Sequence, residues 1–213
     1  MCHRLLCYGD SNTYGYDPRS YLGGRYPESV RWTGLLRASG LNIVNKGENG
    51  RSIPCLDWEI ESAARAVRRS KADVLVVMLG SNDLLQCPGL SAETCGIRME
   101  RFLSELLAKV QVDFEVLLVT PPSMTAGTWV SDQRTLEESR RLAGCYEMAA
   151  RQLGIAFTDA GTWGVGLSYD GVHFSEEGHL AFAKGMQKAL EALTASSTLF
   201  LAKDSRNRLK YDG

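Results

Sequence analysis

Residues 74–79 read Val-Leu-Val-Val-Met-Leu and run directly into Gly80-Ser81-Asn82-Asp83. Six consecutive apolar residues that end at a glycine turn have the length of a strand and carry no polar face. A strand of that kind is buried on both sides, which is the situation of a central strand in a parallel sheet. Working outward, further apolar runs at Leu5–Tyr8, Leu41–Asn45, Phe114–Thr120 and Ile155–Thr158 supply four more strands. Amphipathic stretches separate them, at about 29–39, 56–70, 91–110, 135–153 and 175–194. In the third stretch Met99, Leu103, Leu106, Leu107 and Val110 recur at helical spacing and make one apolar stripe. Leu142, Cys145, Tyr146, Ala149 and Leu153 do the same in the fourth. Ser91 with Thr94, and Ser175 followed by Glu176 and Glu177, suit helix N-termini. Alternating strands and helices imply right-handed crossovers. The fold predicted is therefore a three-layer α/β domain on a five-stranded parallel sheet. Residues 1–194 form that domain, and 195–213 are expected to be a tail or a short extra element.

The chain has 213 residues, which suits one domain. Lys plus Arg number 24 and Asp plus Glu 25, so there is no global basic field to attract nucleic acid or an anionic membrane. No apolar run reaches the ~20 residues that span a bilayer, and the N-terminus lacks the pattern of a secretory signal. The six cysteines include no Cys-x-x-Cys pair, and they read as reduced thiols of a cytoplasmic protein. Neither a zinc motif, nor a dinucleotide glycine fingerprint, nor a phosphate loop is present, so neither a zinc site nor phosphate cradling by the first loop is expected.

In sheets of this class ligands bind at the carboxyl ends of the strands. Three long loops lie there, 9–28, 121–134 and 159–174. The first strand ends in Gly9-Asp10-Ser11-Asn12-Thr13, which sets Ser11 at the edge as a candidate nucleophile. The lipase-type elbow is not present, because Thr13 stands where its last glycine would be. Gly50 follows the second strand in a segment that reads either as a plain turn or as a close backbone approach to a ligand. Asn82 follows the third strand and offers a neutral amide donor. Of three histidines, His3 falls at the wrong end of its strand and His179 inside the last helix. His173 remains as general base, with Asp170 three residues earlier to orient it. A serine hydroxyl needs such a base, and the base needs an acceptor on its second nitrogen.

Together, Gly9-Asp10-Ser11, Gly50, Gly80-Ser81-Asn82-Asp83 and Asp170-Gly171-Val172-His173 resemble the four blocks of the SGNH (GDSL-type) hydrolases. The stretches around Val30-Arg31-Trp32-Thr33-Gly34 and Gly171-Val172-His173-Phe174-Ser175-Glu176 look like the arylesterase and acyltransferase branch. The resemblance implies a flavodoxin-like α/β/α fold and ester hydrolysis without a metal or organic cofactor, with Ser11 as nucleophile, His173 as base and Asp170 as its partner. It implies oxyanion donors at the Ser11 and Gly50 backbone N–H groups and the Asn82 side chain. Acyl transfer to alcohols and homo-oligomers, both known in that branch, come with it as expectations.

One departure is Asn12, where the family usually has leucine. It is expected to make the floor beside the nucleophile polar and to favour short acyl chains. Tyr14, Tyr16, Trp129, Trp163 and Phe174 on the edge loops are the remaining candidates for the substrate pocket. They suit a short acyl, an aryl or a sugar group, so the expected substrate is a small acetyl-type ester. Two other readings stay open at this stage: a flavodoxin-like ligand-binding module, and a non-catalytic carbohydrate-binding relative of the hydrolases.

Overall fold

The computed structural model describes residues 4–208 except 21, 88 and 112, with side chains as far as 195. His3, Cys2 and residues 209–213 of the expected tail lie outside the described residues. Five strands, β1 (Arg4–Gly9), β2 (Asn42–Gly47), β3 (Val74–Met78), β4 (Glu115–Thr120) and β5 (Ala156–Asp159), form one sheet in the order β2-β1-β3-β4-β5. Every neighbouring pair is parallel. The strand that reads as central in the sequence, β3, is indeed interior, and all five of its residues are buried.

Among the described residues, seven α-helices lie between the strands or after the last of them: α1 (Ser11–Tyr14), α2 (Trp32–Ala38), α3 (Asp57–Ser70), α4 (Ser81–Gln86), α5 (Ala92–Val110), α6 (Gln133–Leu153) and α7 (Glu176–Arg208). Two of them, α1 and α4, were not expected. Each is a short turn begun by the residues that follow a strand end, and neither is long enough to show a periodic apolar stripe. The last helix also continues past residue 194 to Arg208.

Strand side chains alternate between two cores, because successive residues point to opposite faces. Leu6, Tyr8, Leu75, Val77, Leu79, Val116 and Leu118 pack on one face under α3, α5 and α6. Leu5, Cys7, Val74, Val76, Met78, Leu117 and Val119 pack on the other, under α2 and α7. The sheet is thereby the middle layer of three. The stripe Met99, Leu103, Leu106 and Val110 and the stripe Leu142, Cys145 and Tyr146 both lie in the first core. Burying a side chain of this size contributes roughly 1.5–3 kcal/mol, so these stripes fix the helices more firmly than helix propensity does.

The edge at the carboxyl ends of the strands is drawn together by close backbone approach. A Cβ on Gly47 would lie 2.0 Å from the backbone nitrogen of Tyr14, so only glycine lets β2 run this close to α1. Among the described residues, no helix is long and apolar enough to cross a membrane.

Candidate active site

The turn after β1 is built by Asp10. Its carboxylate accepts the N–H of Asn12 at 2.9 Å and caps α1, which leaves Ser11 as the first helical residue. The Ser11 N–H has no intrahelical acceptor for that reason. Gly15 closes the turn in the left-handed region. Asp10 is buried, and loss of solvation pushes its carboxyl up to about 6, against the lowering pull of the Asn12 N–H and of His173.

Across the edge, the loop 159–174 carries Asp170 and His173. Asp170 Oδ1 accepts the backbone N–H groups of Val172 and His173, both at 2.9 Å, while Oδ2 lies 2.6 Å from His173 Nδ1. Burial pushes Asp170 up, but the hydrogen bonds from the His173 ring and backbone and from Val172 outweigh it and hold the carboxyl below its ordinary value. The carboxylate stays ionised and fixes the imidazole tautomer with Nε2 free to accept. His173 Nε2 stands 3.0 Å from Ser11 Oγ. Asp170, His173 and Ser11 thus form a continuous hydrogen-bonded line, and all three are buried. The turn that makes this possible needs Gly171, which has φ of 80° and where a Cβ would lie 2.1 Å from the Thr125 carbonyl oxygen. Backbone bonds from Thr125, Thr128 and Trp129 to Gly171, Tyr169 and Asp170, at 3.1–3.2 Å, fasten the loop 121–134 to the histidine loop.

Gly50 has φ of 76°, a left-handed conformation that glycine adopts without cost. Its segment is tied to the end of β1 by Glu48 N–H to Gly9 O at 3.1 Å and by Arg51 Nη1 to the same oxygen at 2.8 Å. The Arg51 guanidinium also lies over the Tyr8 ring, 4.2 Å from its centre, and pairs with Glu48. Asn82, in the first turn of α4, donates from Nδ2 to the Arg51 carbonyl at 3.1 Å. The Gly50 and Asn82 donors are therefore linked through one short backbone segment.

The expected pocket residues divide. Tyr16 and Trp129 flank His173, with ring centres 4.6 and 4.9 Å from the imidazole, and Trp129 is 56% exposed. Phe174 is fully buried against Phe182 and His179, and Trp163 packs on Phe182. Those two hold loops to the core, and Trp163 also borders a cavity with Thr158, Thr162 and Leu180. The Tyr14 ring lies under the Arg25 guanidinium. Asn12 is the largest change from expectation. Its side chain is buried, accepts the Phe174 N–H at 2.9 Å and donates to the Val172 carbonyl at 3.1 Å. A buried carboxamide with two backbone partners is a tether and not a polar pocket floor.

Sequence reasoning passed over Arg51, Gln86 and Asp10 as members of this site. Arg51 adjoins Gly50 and Gln86 lies one helical turn beyond Asn82, so spacing was a signal for both once α4 was known. A cavity of about 720 Å³ lies at the opposite end of the sheet, bordered by Leu5, Val74 and Phe114, away from these residues. Among the described residues, no group of three or more His, Cys, Asp or Glu could hold a metal ion.

Comparison with known proteins bears on the family and the fold. Residues 7–181 match the model of the GDSL-like lipase/acylhydrolase family. No curated protein sequence matches. Among solved structures, a protein assigned as an arylesterase from Agrobacterium tumefaciens is 27% identical, with a TM-score of 0.77 over 89% of this chain and 99% of the other. A carbohydrate acetylesterase family member from Sinorhizobium meliloti is 26% identical, with a TM-score of 0.76 over 89% and 98%. The M. smegmatis aryl esterase, 22% identical with a TM-score of 0.78 over 90% and 99%, shares the fold.

Proposed function

The chain belongs to the GDSL-like lipase/acylhydrolase family, and from that premise we propose that it cleaves small acetyl-type esters of aryl alcohols or sugars through an acyl-enzyme on Ser11. The observation that carries the reading is the line Asp170 Oδ2, His173 Nδ1, His173 Nε2, Ser11 Oγ, at 2.6 and 3.0 Å. Ser11 Oγ attacks the ester carbonyl while His173 Nε2 takes its proton. The carbonyl π electrons move to oxygen, and the oxyanion is met by the N–H groups of Ser11, Gly50 and Asn82. As the intermediate collapses, the ester C–O bond breaks and His173 gives the proton to the leaving alcohol. Water, activated by the same histidine, then releases the acid. Where an alcohol takes the place of water, the acyl group passes to it.

The small-ester reading draws on Tyr16 and Trp129, two aromatic rings beside the imidazole that suit a flat ring or a sugar face. It also draws on the 27% and 26% identical neighbours assigned as an arylesterase and a carbohydrate acetylesterase. The hydrogen-bonding distances among Ser11, Asp170 and His173 favour this reading over a non-catalytic one. A rate series on p-nitrophenyl esters from C2 to C12 tests the substrate class: kcat/KM should peak at C2–C4, and a maximum at C8 or beyond overturns it. Adding methanol and measuring methyl acetate against acetate separates transfer from hydrolysis.

A further inference from the structure

A carboxamide has one end that donates and one that accepts, and only the nitrogen end of Asn82 can meet an oxyanion. What decides its orientation is therefore part of the catalytic question. Two neighbours decide it. The Arg51 carbonyl, an acceptor, faces Nδ2 at 3.1 Å. The Gln86 side chain faces Oδ1, with its Nε2 at 3.3 Å. Gln86 is itself oriented by a second acceptor, because the same Nε2 donates to the Gly50 carbonyl at 3.1 Å. Turning Gln86 over would set its oxygen against two other oxygens. The chain of bonds is thus polar in one sense only: Gly50 O accepts from Gln86, Gln86 donates to Asn82, and Asn82 donates to Arg51. Two of the three expected oxyanion donors, Gly50 and Asn82, meet at a single nitrogen. Residues 82 and 86 lie four apart on α4, where side chains of one helix face are neighbours.

We propose that Gln86 is a positioning residue that holds the Asn82 carboxamide with its nitrogen end toward the reacting oxygen and ties it to Gly50. The proposal rests on the esterase reading above. One N–H of Asn82 is committed to Arg51, and the other is left for the oxyanion. A carboxylate at position 86 would invert the logic. Such a group accepts only, so it repels the Gly50 carbonyl and draws Nδ2 of Asn82 toward itself, which turns Oδ1 toward the developing charge.

The experiment is kinetics on p-nitrophenyl acetate with Gln86→Ala and Gln86→Glu, each alone and combined with Asn82→Ala. Losing one oxyanion donor outright costs on the order of 10²–10³ in kcat, which sets the ceiling. Gln86→Glu should lower kcat by about tenfold or more with KM within about twofold, and Gln86→Ala by less, since Arg51 still orients the amide. In the Asn82→Ala background both changes should fall to less than about twofold, because the group they orient is gone. Unchanged kcat in Gln86→Glu overturns the proposal. So does an equal loss with and without Asn82, which would mean that residue 86 acts by another route. Ser11→Ala separates the two levels. If it keeps the wild-type rate, the esterase reading fails; if it is inactive while Gln86→Glu is unimpaired, only the role of Gln86 fails.

Discussion

The Asn12 carboxamide accepts the backbone N–H of Phe174 at 2.9 Å, one residue beyond the catalytic histidine candidate and 162 residues away in sequence. Its other end donates to the carbonyl of Val172, one residue before it. His173 is therefore held from both sides by the residue next to Ser11, which couples the two loops whose side chains must meet at 3.0 Å. Asn12→Leu should destabilise the fold, because the Phe174 N–H and Val172 carbonyl lose their partner while buried, at about 1–3 kcal/mol for each group. A lower thermal midpoint together with a fall in kcat is the expected outcome. A leucine variant as stable and active as the parent would show that Asn12 is not the tether.

Trp129 stands edge-on to His173 and more than half exposed. Its indole adds little to the core, so Trp129→Ala should leave the thermal midpoint within a degree or two while raising KM for an aryl acetate several-fold. The backbone N–H of Trp129, which donates to the Asp170 carbonyl at 3.1 Å, is kept in the variant. An unchanged KM with a large loss of stability would assign Trp129 to packing.

His179 gives the stability a defined pH dependence. It is fully buried between the rings of Tyr26 and Phe174, its Nδ1 accepts the Trp32 N–H at 3.4 Å, and its Nε2 has no partner among the described residues. Burial first, and the Arg31 charge second, push the imidazole down from 6.5 to about 4. The unfolded chain then takes up a proton near pH 6.5 that the folded chain refuses until about 4. The stability that His179 supports is complete above pH 6.5, is lost as pH falls toward 4, and changes no further below. The whole effect is on the order of 3 kcal/mol. Asp10 works in the opposite sense: its carboxyl, raised from 3.8 to about 6, binds its proton first in the folded state and favours folding as pH falls through that window. The wild-type curve alone hides both. The stability difference between wild type and His179→Phe isolates the histidine, and it should shrink from pH 7 to pH 4.5 in urea titrations. A difference independent of pH contradicts the assignment.

The three layers and the central place of the third strand were open to reading because they follow from patterns longer than a turn. Val74–Met78 has no polar face, and Met99 to Val110 keeps one stripe for three turns. Ser11, Gly50, Asn82, Asp170 and His173 were legible because each follows a strand end, where one sheet edge gathers them. The roles of Asn12, Phe174 and Trp163 were not. Whether an aromatic ring in a loop faces a pocket or the core depends on contacts such as Phe174 with Phe182, made across the fold and absent from local spacing. Asn12 reads as a polar neighbour of Ser11 until its partners at 172 and 174 are in place. Gln86 needed α4, a helix of six residues too short to announce itself by periodicity.

The central claim is that Ser11 is a nucleophile activated by His173. A fluorophosphonate probe forms a phosphorus–oxygen bond only to an activated serine hydroxyl, with fluoride as the leaving group, so intact-protein and peptide mass spectrometry read the claim directly. Wild type should gain one adduct, mapped to Ser11, and His173→Ala should lose labelling by several orders of magnitude while keeping its thermal unfolding transition. Labelling at another residue, or undiminished labelling of Ser11 in the His173→Ala protein, would contradict it.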